Sequence, residues 1–413
     1  MNKILLTSAL LGLAATFPAQ ATNGYLAHGY GIKSIGAGGV GIALPQDALV
    51  IAYNPAGISW LNDRLDVGIS YFRPNREAEI EGSATPFNGK IDANDTQDFF
   101  IPEFGYKKQL TDKLSFGIAA YGNGGLVQDY DPGFPLFAGP NGPKTGIELL
   151  QLFVAPTLAW QVTPEHSVGV SLNIAYQTFE AKGLGAFSAL SQAPNNVTDK
   201  GKDTAYGLGL HVGWLGKVSE NLSLGASYQS RTYTQKFDKY KGLFAEEGDF
   251  DTPSIVGLGL AYKVTPDLTV AADYQRINYS DINSVGNSFT FAAPLGSDNG
   301  SGFGWRDVNV YKIGAIYNVN QQLTLRTGYN HGSQPVPRDQ TLFNVFAPAI
   351  VEDHFTLGAT WKFENSNELS LSYFHAFEHE VNGRNSIPPA FGGGEANFKM
   401  KQDALGIAYS FDF

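Results

Sequence analysis

Six short polar turns recur along this chain, each flanked by residues that alternate strictly between large apolar and small or polar side chains. They fall at 110–113, 162–166, 218–221, 264–267, 319–322 and 364–368, about 45 to 55 residues apart, and two of them share Val-Thr-Pro. A unit of strand, tight turn, strand and long loop, written repeatedly, specifies antiparallel hairpins and excludes helical arrays. Around the second turn Val168, Val170, Leu172, Ile174 and Tyr176 lie on one face, with Gly169, Ser171, Asn173, Ala175 and Gln177 on the other. The arms Leu222–Gln229 and 355–363 repeat the pattern. The second face is too small and polar to be a sandwich core, so the alternation suits a wall between lipid and a lumen.

The two ends carry further expectations. Leu405, Ile407, Tyr409, Phe411 and Phe413 alternate with Gly406, Ala408, Ser410 and Asp412, a strand that finishes on an aromatic residue. That ending resembles the signal by which barrel assembly machinery takes up outer-membrane proteins. At the other end, Lys3 precedes an apolar run over 4–17 and the small-residue site Ala19-Gln20-Ala21. This reads as a cleavable secretory signal over 1–21, too short for a transmembrane helix, with the mature chain beginning at Thr22.

Length alone permits two soluble domains or one large barrel. Composition favours the barrel: of 413 residues, 48 are Gly, 20 Tyr and 28 Phe, and only 16% are charged. Beyond the signal no apolar run approaches eighteen residues, so helical spans are excluded, and a polar lumen face explains a mean hydropathy of −0.15. No cysteine is present, which removes disulfides and thiolate metal sites, and a formal charge of −11 argues against a nucleic-acid partner.

Counting hairpin arms predicts strands over 65–73, 99–109, 114–122, 149–162, 167–180, 203–218, 222–236, 252–264, 268–279, 306–319, 323–334, 352–363, 367–379 and 398–413. Fourteen strands with short turns at one end and long loops at the other make an all-β, antiparallel transmembrane barrel of the bacterial outer membrane, both termini on the periplasmic side. A single chain that closes on itself is expected to be a monomer amid outer-membrane lipid and lipopolysaccharide. Tyr121, Tyr176, Tyr228, Tyr262, Tyr274 and Tyr329, near strand ends, suit aromatic girdles at the lipid boundaries.

Residues 22–64 do not alternate. They are rich in glycine (Gly29, Gly31, Gly36, Gly38, Gly39, Gly41) yet carry Leu26, Ile32, Ile35, Val40, Ile42, Leu44, Leu49, Val50, Ile51, Ile58 and Trp60, which require burial. The lumen is the available site, so 22–64 is expected to form a hatch that plugs a barrel made of 65–413.

Gly36-Ala37-Gly38-Gly39-Val40-Gly41-Ile42-Ala43, then Asp47-Ala48, then Tyr53-Asn54-Pro55-Ala56-Gly57 resembles the hatch of the FadL/TodX (OmpP1) family of outer-membrane channels for long-chain fatty acids and other hydrophobic compounds. The triplet Asn54-Pro55-Ala56 after a glycine-rich run is that family's clearest mark. On its own, Pro55 keeps Asn54 out of the helical region, and Asn54 can bond nearby backbone in a turn. The resemblance implies uptake of a fatty acid or an aromatic hydrocarbon, capture by the third and fourth outer loops, and lateral exit through a kink in the third strand.

Each implied role has candidate residues here. The third strand contains Gly117 and runs into Gly122, Asn123, Gly124 and Gly125, and glycine marks bulges and bends. Gly117 or the 122–125 run is therefore expected to break pairing, although 122–125 also suits the flexible start of a loop. Loop 181–202 offers Leu184, Phe187 and Leu190, and loop 237–251 offers Phe237, Tyr240, Leu243 and Phe244, as apolar surface displayed for ligand. A carboxylate ligand calls for a lumen cation. Face parity turns Arg231, Arg306, Lys312 and Arg326 inward, with Arg231 and Lys312 the foremost candidates and Asp47 or Asp273 as alternative partners. Movement of residues 22–30 is expected to gate the channel.

Other readings are weaker. Gly36, Gly38 and Gly41 match GxGxxG but lack the βαβ unit of a dinucleotide site. His375, His379, Glu378 and Glu380 are not in a zinc-protease order, and Ser372 and His354 have no third group to complete a hydrolase, so neither a metal, a cofactor nor an enzyme is expected. A diffusive porin for polar solutes and a surface adhesin remain the rivals.

Overall fold

The computed structural model describes residues 22–139, 142–290 and 292–413; the expected signal at 1–21 lies outside them. Among the described residues, one antiparallel sheet contains sixteen strands, of which two are short, Gly89–Asp92 and Tyr233–Thr234, leaving fourteen that form the wall. These are β1 Arg64–Glu81, β2 Phe99–Gln109, β3 Leu114–Tyr130, β4 Thr145–Thr163, β5 His166–Lys182, β6 Asp203–Lys217 and β7 Leu222–Gln229. They continue as β8 Ile255–Lys263, β9 Leu268–Ile277, β10 Val308–Asn318, β11 Leu323–Gly332, β12 Asp353–Lys362, β13 Glu368–Val381 and β14 Glu395–Asp412. Each pairs with its chain neighbour, and β1 pairs with β14, which closes the fourteen-stranded barrel.

Face parity follows the alternation. Val168, Val170, Leu172, Ile174, Leu208, Leu210, Leu258, Ile313, Leu357, Leu405 and Ile407 are exposed on the outside, where lipid would cover them. Tyr228, Tyr262 and Tyr329 are exposed outward, as a girdle requires. Tyr121 departs from that expectation: the parity of β3 turns it inward, buried, with its ring 4.8 Å from Tyr30. Arg306 departs too, lying beyond the outer end of β10 with an exposed side chain, so strand parity does not apply to it.

Residues 22–63 occupy the lumen. They hold one helical turn, Ile32–Ile35, and two 3-10 turns, Ala48–Ala52 and Pro55–Trp60. Tyr25, Leu26, Ile32, Val40, Ile42, Leu49, Ile51 and Ile58 are fully buried, while Leu44 and Trp60 are half-buried. Burying each large side chain stabilises the seated plug by about 1.5–3 kcal/mol. Glycines in the wall make the room. A Cβ on Gly328 would stand 2.3 Å from Gly38 N, one on Gly358 3.0 Å from Gly36 Cα, one on Gly169 2.4 Å from Ala56 N, and one on Gly213 2.0 Å from Asn54 Oδ1. Gly38 and Gly39 themselves have positive φ, 74° and 76°, so the hatch turns where side chains would be strained. Gly41 lies under the Tyr53 ring, 2.6 Å from where its Cβ would be.

Candidate functional site: a gap in the wall and the segment beside it

Inward carboxylates fasten the hatch by its backbone. Glu103 accepts from Gly31 N and Ile32 N, both at 3.0 Å; Asp273 accepts from Gly41 N at 2.7 Å and Ile42 N at 3.0 Å; Asp66 accepts from Ala48 N at 2.9 Å. Asn54 supplies the other anchor. Its Oδ1 accepts from Ala56 N at 3.1 Å and caps the Pro55–Trp60 turn, while Nδ2 donates to Ile42 O and Trp214 O at 2.8 Å each. Pro55 fits the first position of that turn because it has no N–H to satisfy. The triplet thus ties two parts of the hatch to β6.

The wall is not uniformly paired. β2 and β3 meet from Glu103↔Tyr121 to Gln109↔Ser115, and there the ladder stops. Above it, among the strands of the wall, Phe99–Pro102 pair only with β1, and Gly122 and Gly124–Tyr130 pair only with β4. The β3–β4 register shifts between Gly122 and Gly124, leaving Asn123 as an extra, buried residue. Pro102 stands at the end of the unpaired stretch, where a missing N–H loses nothing. The gap closes again further out: Gln128 donates to Ala93 O at 2.8 Å, Thr96 donates to Asp129 at 2.7 Å, and Arg76 bridges Val127 O and Thr96 O. Gly122 to about Leu126 therefore face Phe99–Pro102 across a bounded slot that Phe99 and Ile101 line.

Gly117 has a different role from the one expected. It is paired on both sides, with Lys107 and Thr157, and a Cβ there would meet Ile51 at 2.9 Å. It makes room for the hatch and breaks no pairing.

The start of the hatch lies against the free edge of β3. Gly125 N donates to Tyr25 O at 2.8 Å, Ala27 N to Asn123 O at 3.3 Å, and the Tyr30 hydroxyl to Asn123 O at 3.0 Å. Tyr25 sits among Tyr279, Phe250 and Trp305, with ring centroids 5.1, 5.8 and 6.0 Å away, and the Tyr279 hydroxyl donates to Asn23 O at 2.6 Å.

The predicted loop residues lie within one apolar cluster, not on display. Leu184, Phe187, Phe237, Leu243 and Phe244 are buried and Leu190 is half-buried, because the outer loops fold over the mouth and pack on one another. Phe187 meets Phe137, Phe343 and Phe391, while Phe244 meets Phe179 and Phe250. The contacts run on through Phe250 and Trp305 to Tyr25, so aromatic rings connect the loop core to the hatch beside the gap.

Both foremost cations are already engaged. Lys312 points inward and donates to His28 O at 2.9 Å and Gly39 O at 3.2 Å, so it holds the hatch. Arg231 lies past the end of β7 and pairs with Asp251 and, at 3.4 Å, Asp249. Arg326 donates to Gln46 at 2.7 Å. Burial, with Asp251 as a like charge beside it, pushes the Asp249 carboxyl up to about 7. Elsewhere, His375 pairs with Asp403, His379 with Glu352, and His354 stacks on His28.

A closed barrel with a lipid-facing exterior and its own N-terminal stretch in the bore defines a plugged outer-membrane channel. The family model described as outer membrane protein transport protein (OMPP1/FadL/TodX) matches residues 13–413. The chain belongs to this family, whose members are transport channels and not enzymes. It is 24% identical to outer membrane protein P1 of Haemophilus influenzae, over 87% of this chain and 88% of that protein. It is 22% identical to the long-chain fatty acid transport protein of Escherichia coli K12, over 82% and 84%. The crystal structure of the P. putida toluene transporter TodX superposes with a TM-score of 0.70 at 19% identity, covering 94% and 99%.

Proposed function

We propose that this protein carries hydrophobic molecules, long-chain fatty acids or aromatic hydrocarbons, through the outer membrane and delivers them sideways through the β2–β3 gap. The carrying observation is the break in wall pairing at Glu103↔Tyr121, filled from inside by the start of the hatch. Thermodynamics favours such a route. Returning about fifteen methylenes to water costs roughly 12 kcal/mol, whereas a side exit keeps an acyl chain in hydrocarbon throughout.

In this reading the aromatic loop core opens to admit the ligand, and the rings from Phe187 to Tyr25 provide an apolar path inward. Ligand beside Tyr25 competes with its packing and favours a state in which residues 22–30 leave the β3 edge, a shift limited by the difference in ligand affinity between the two states. Residues 31–63 stay seated on Asp66, Glu103, Asp273 and Asn54. Arg231 exchanges an aspartate for a ligand carboxylate when the ligand has one. The chain reaches the membrane as an exported precursor whose residues 1–21 are removed.

The test compares two measurements on the full-length protein and on a form lacking residues 22–30. Vesicles bearing the intact protein should take up labelled oleate or toluene while conducting ions barely, and the deletion should change ligand affinity or uptake. Steady ionic conductance of the intact protein without hydrophobic uptake would identify a polar-solute porin.

A further inference from the structure

At the outer rim a cleft of about 570 Å³ is lined by Arg306, Arg338 and Arg384, together with the buried Pro335 and Val336. The three arginines come from three different loops, those before β10, after β11 and after β13, and all are exposed. Asp339 is the one acid in the lining. None of the three guanidinium groups has an ion-pair partner among the described residues. Several other basic residues of the outer half are paired, Lys144 with Asp95 and Asp129, Lys202 with Glu148, Lys236 with Glu247, and Arg276 with Asp307, whereas Lys200, Lys239 and Lys241 do not line this cleft. The chain carries a net −11, so three guanidinium groups against the single carboxylate of Asp339 reverse the prevailing sign there, and Arg338 is steadied by donating from Nε to Asn382 O at 2.8 Å.

The level of the cleft points to its ligand. Tyr274 and Tyr311 pack with centroids 5.3 Å apart near the outer ends of β9 and β10, and the Tyr274 and Tyr329 hydroxyls bond Asn309 and Asp353 at 2.9 and 2.6 Å. Such rings mark where hydrocarbon gives way to headgroups. Arg306 and Arg338 lie just beyond those strand ends, where the outer leaflet carries its phosphates. Guanidinium forks bind phosphate oxygens in pairs.

We propose that Arg306, Arg338 and Arg384 form a binding site for a phosphate of the outer-leaflet lipopolysaccharide, which fixes this side of the barrel in its membrane. The full-length protein in detergent is titrated with bis-phosphorylated lipid A, with the same lipid after phosphate removal, and with inorganic phosphate, and followed by native mass spectrometry. Replacing all three arginines with alanine should weaken binding of the phosphorylated lipid roughly tenfold or more, and replacement with lysine should restore part of it. Lys236→Ala should have no effect. Arg338→Glu alone supplies the reading if the triple variant fails to show the heat-dependent gel shift of a folded barrel. Equal binding by the variants, or of the dephosphorylated lipid by the intact protein, would overturn the proposal. So would inorganic phosphate competing as strongly as the lipid, since the site would then hold only a small anion.

Discussion

Two seams of this barrel meet very differently. Where β14 returns to β1, pairing is unbroken from Arg64↔Asp412 to Glu81↔Glu395, the whole length of both strands. Between β2 and β3 it ends at Glu103↔Tyr121, and the upper part of β3 runs on to Tyr130 attached to β4 alone. The closing seam joins residues from opposite ends of the chain, so it bears the larger loop-closure cost, yet it is the complete one. The break is therefore not fraying where the chain fails to close. It is local, it coincides with a bulge, and the outer bonds of Arg76, Thr96 and Gln128 bound it. A strand edge without a partner invites another segment, and Tyr25 to Ala27 take part of it.

The hatch shows the same contrast on a smaller scale. Its body is fixed by carboxylates, by Asn54 and by glycine contacts with the wall, whereas its first residues use two main-chain bonds to the β3 edge, the bonds of Lys312 to His28 O, Tyr279 to Asn23 O and Tyr30 to Asn123 O, and an aromatic surround. Sharpening this difference by mutation should separate the two parts. The largest effect is expected from Gly328→Val: any Cβ would lie 2.3 Å from Gly38 N, so the body cannot seat, and a barrel that conducted little should conduct steadily in a planar bilayer. Asn54→Ala comes next. It leaves Ile42 O and Trp214 O without their donor and removes a cap, a loss of about 1–3 kcal/mol that should appear as faster hydrogen exchange over residues 42–60 while residues 22–30 are unchanged.

The smallest effect concerns pH and the loops. Because Asp249 holds its proton more tightly when folded, up to about 7, its contribution is most favourable below the ordinary carboxylate range of about 4 and is lost as pH rises to 7. Arg231, Asp251 and Glu246 are the charges that act on it. Protease should accordingly cut loop 237–251 more readily at pH 7 than at pH 5, and Asp249→Asn should flatten that dependence. An unchanged slope would assign it to another group.

How far the residues announce this architecture depends on where lipid stops. Within the hydrocarbon span one face must be apolar, so the alternation shows, and all fourteen strands and their turns are legible. Beyond it, both faces meet water or loops. The outer half of β1 reads Arg73-Pro74-Asn75-Arg76-Glu77-Ala78-Glu79, without an apolar period, and that strand continues eight residues past the expected end at 73 to Glu81. β3 and β4 lengthen for the same reason, and β7 ends at Gln229, short of 236. The plug is readable because so many apolar residues without a strand pattern need cover. Gly122 to Gly125 suit a bulge and a loose loop equally, and only the long-range ladder distinguishes them. Pro102 was the available hint that β2 lacks a partner there. Phe187 and Phe244 illustrate a further limit: sequence shows that loops carry aromatic residues, but not whether they face a ligand or each other.

Lateral delivery is tested most directly by stitching the slot shut. A Cβ at Gly122 would lie 3.1 Å from Ile101 Cγ2, close to the roughly 3 Å that separates a sulfur from the opposite Cβ in a disulfide, and the chain has no other cysteine to interfere. With Ile101→Cys and Gly122→Cys, oxidation should stop uptake of hydrophobic substrate into cells and a reductant should restore it, the barrel staying folded throughout. Uptake that continues undiminished with the disulfide formed would contradict the side exit.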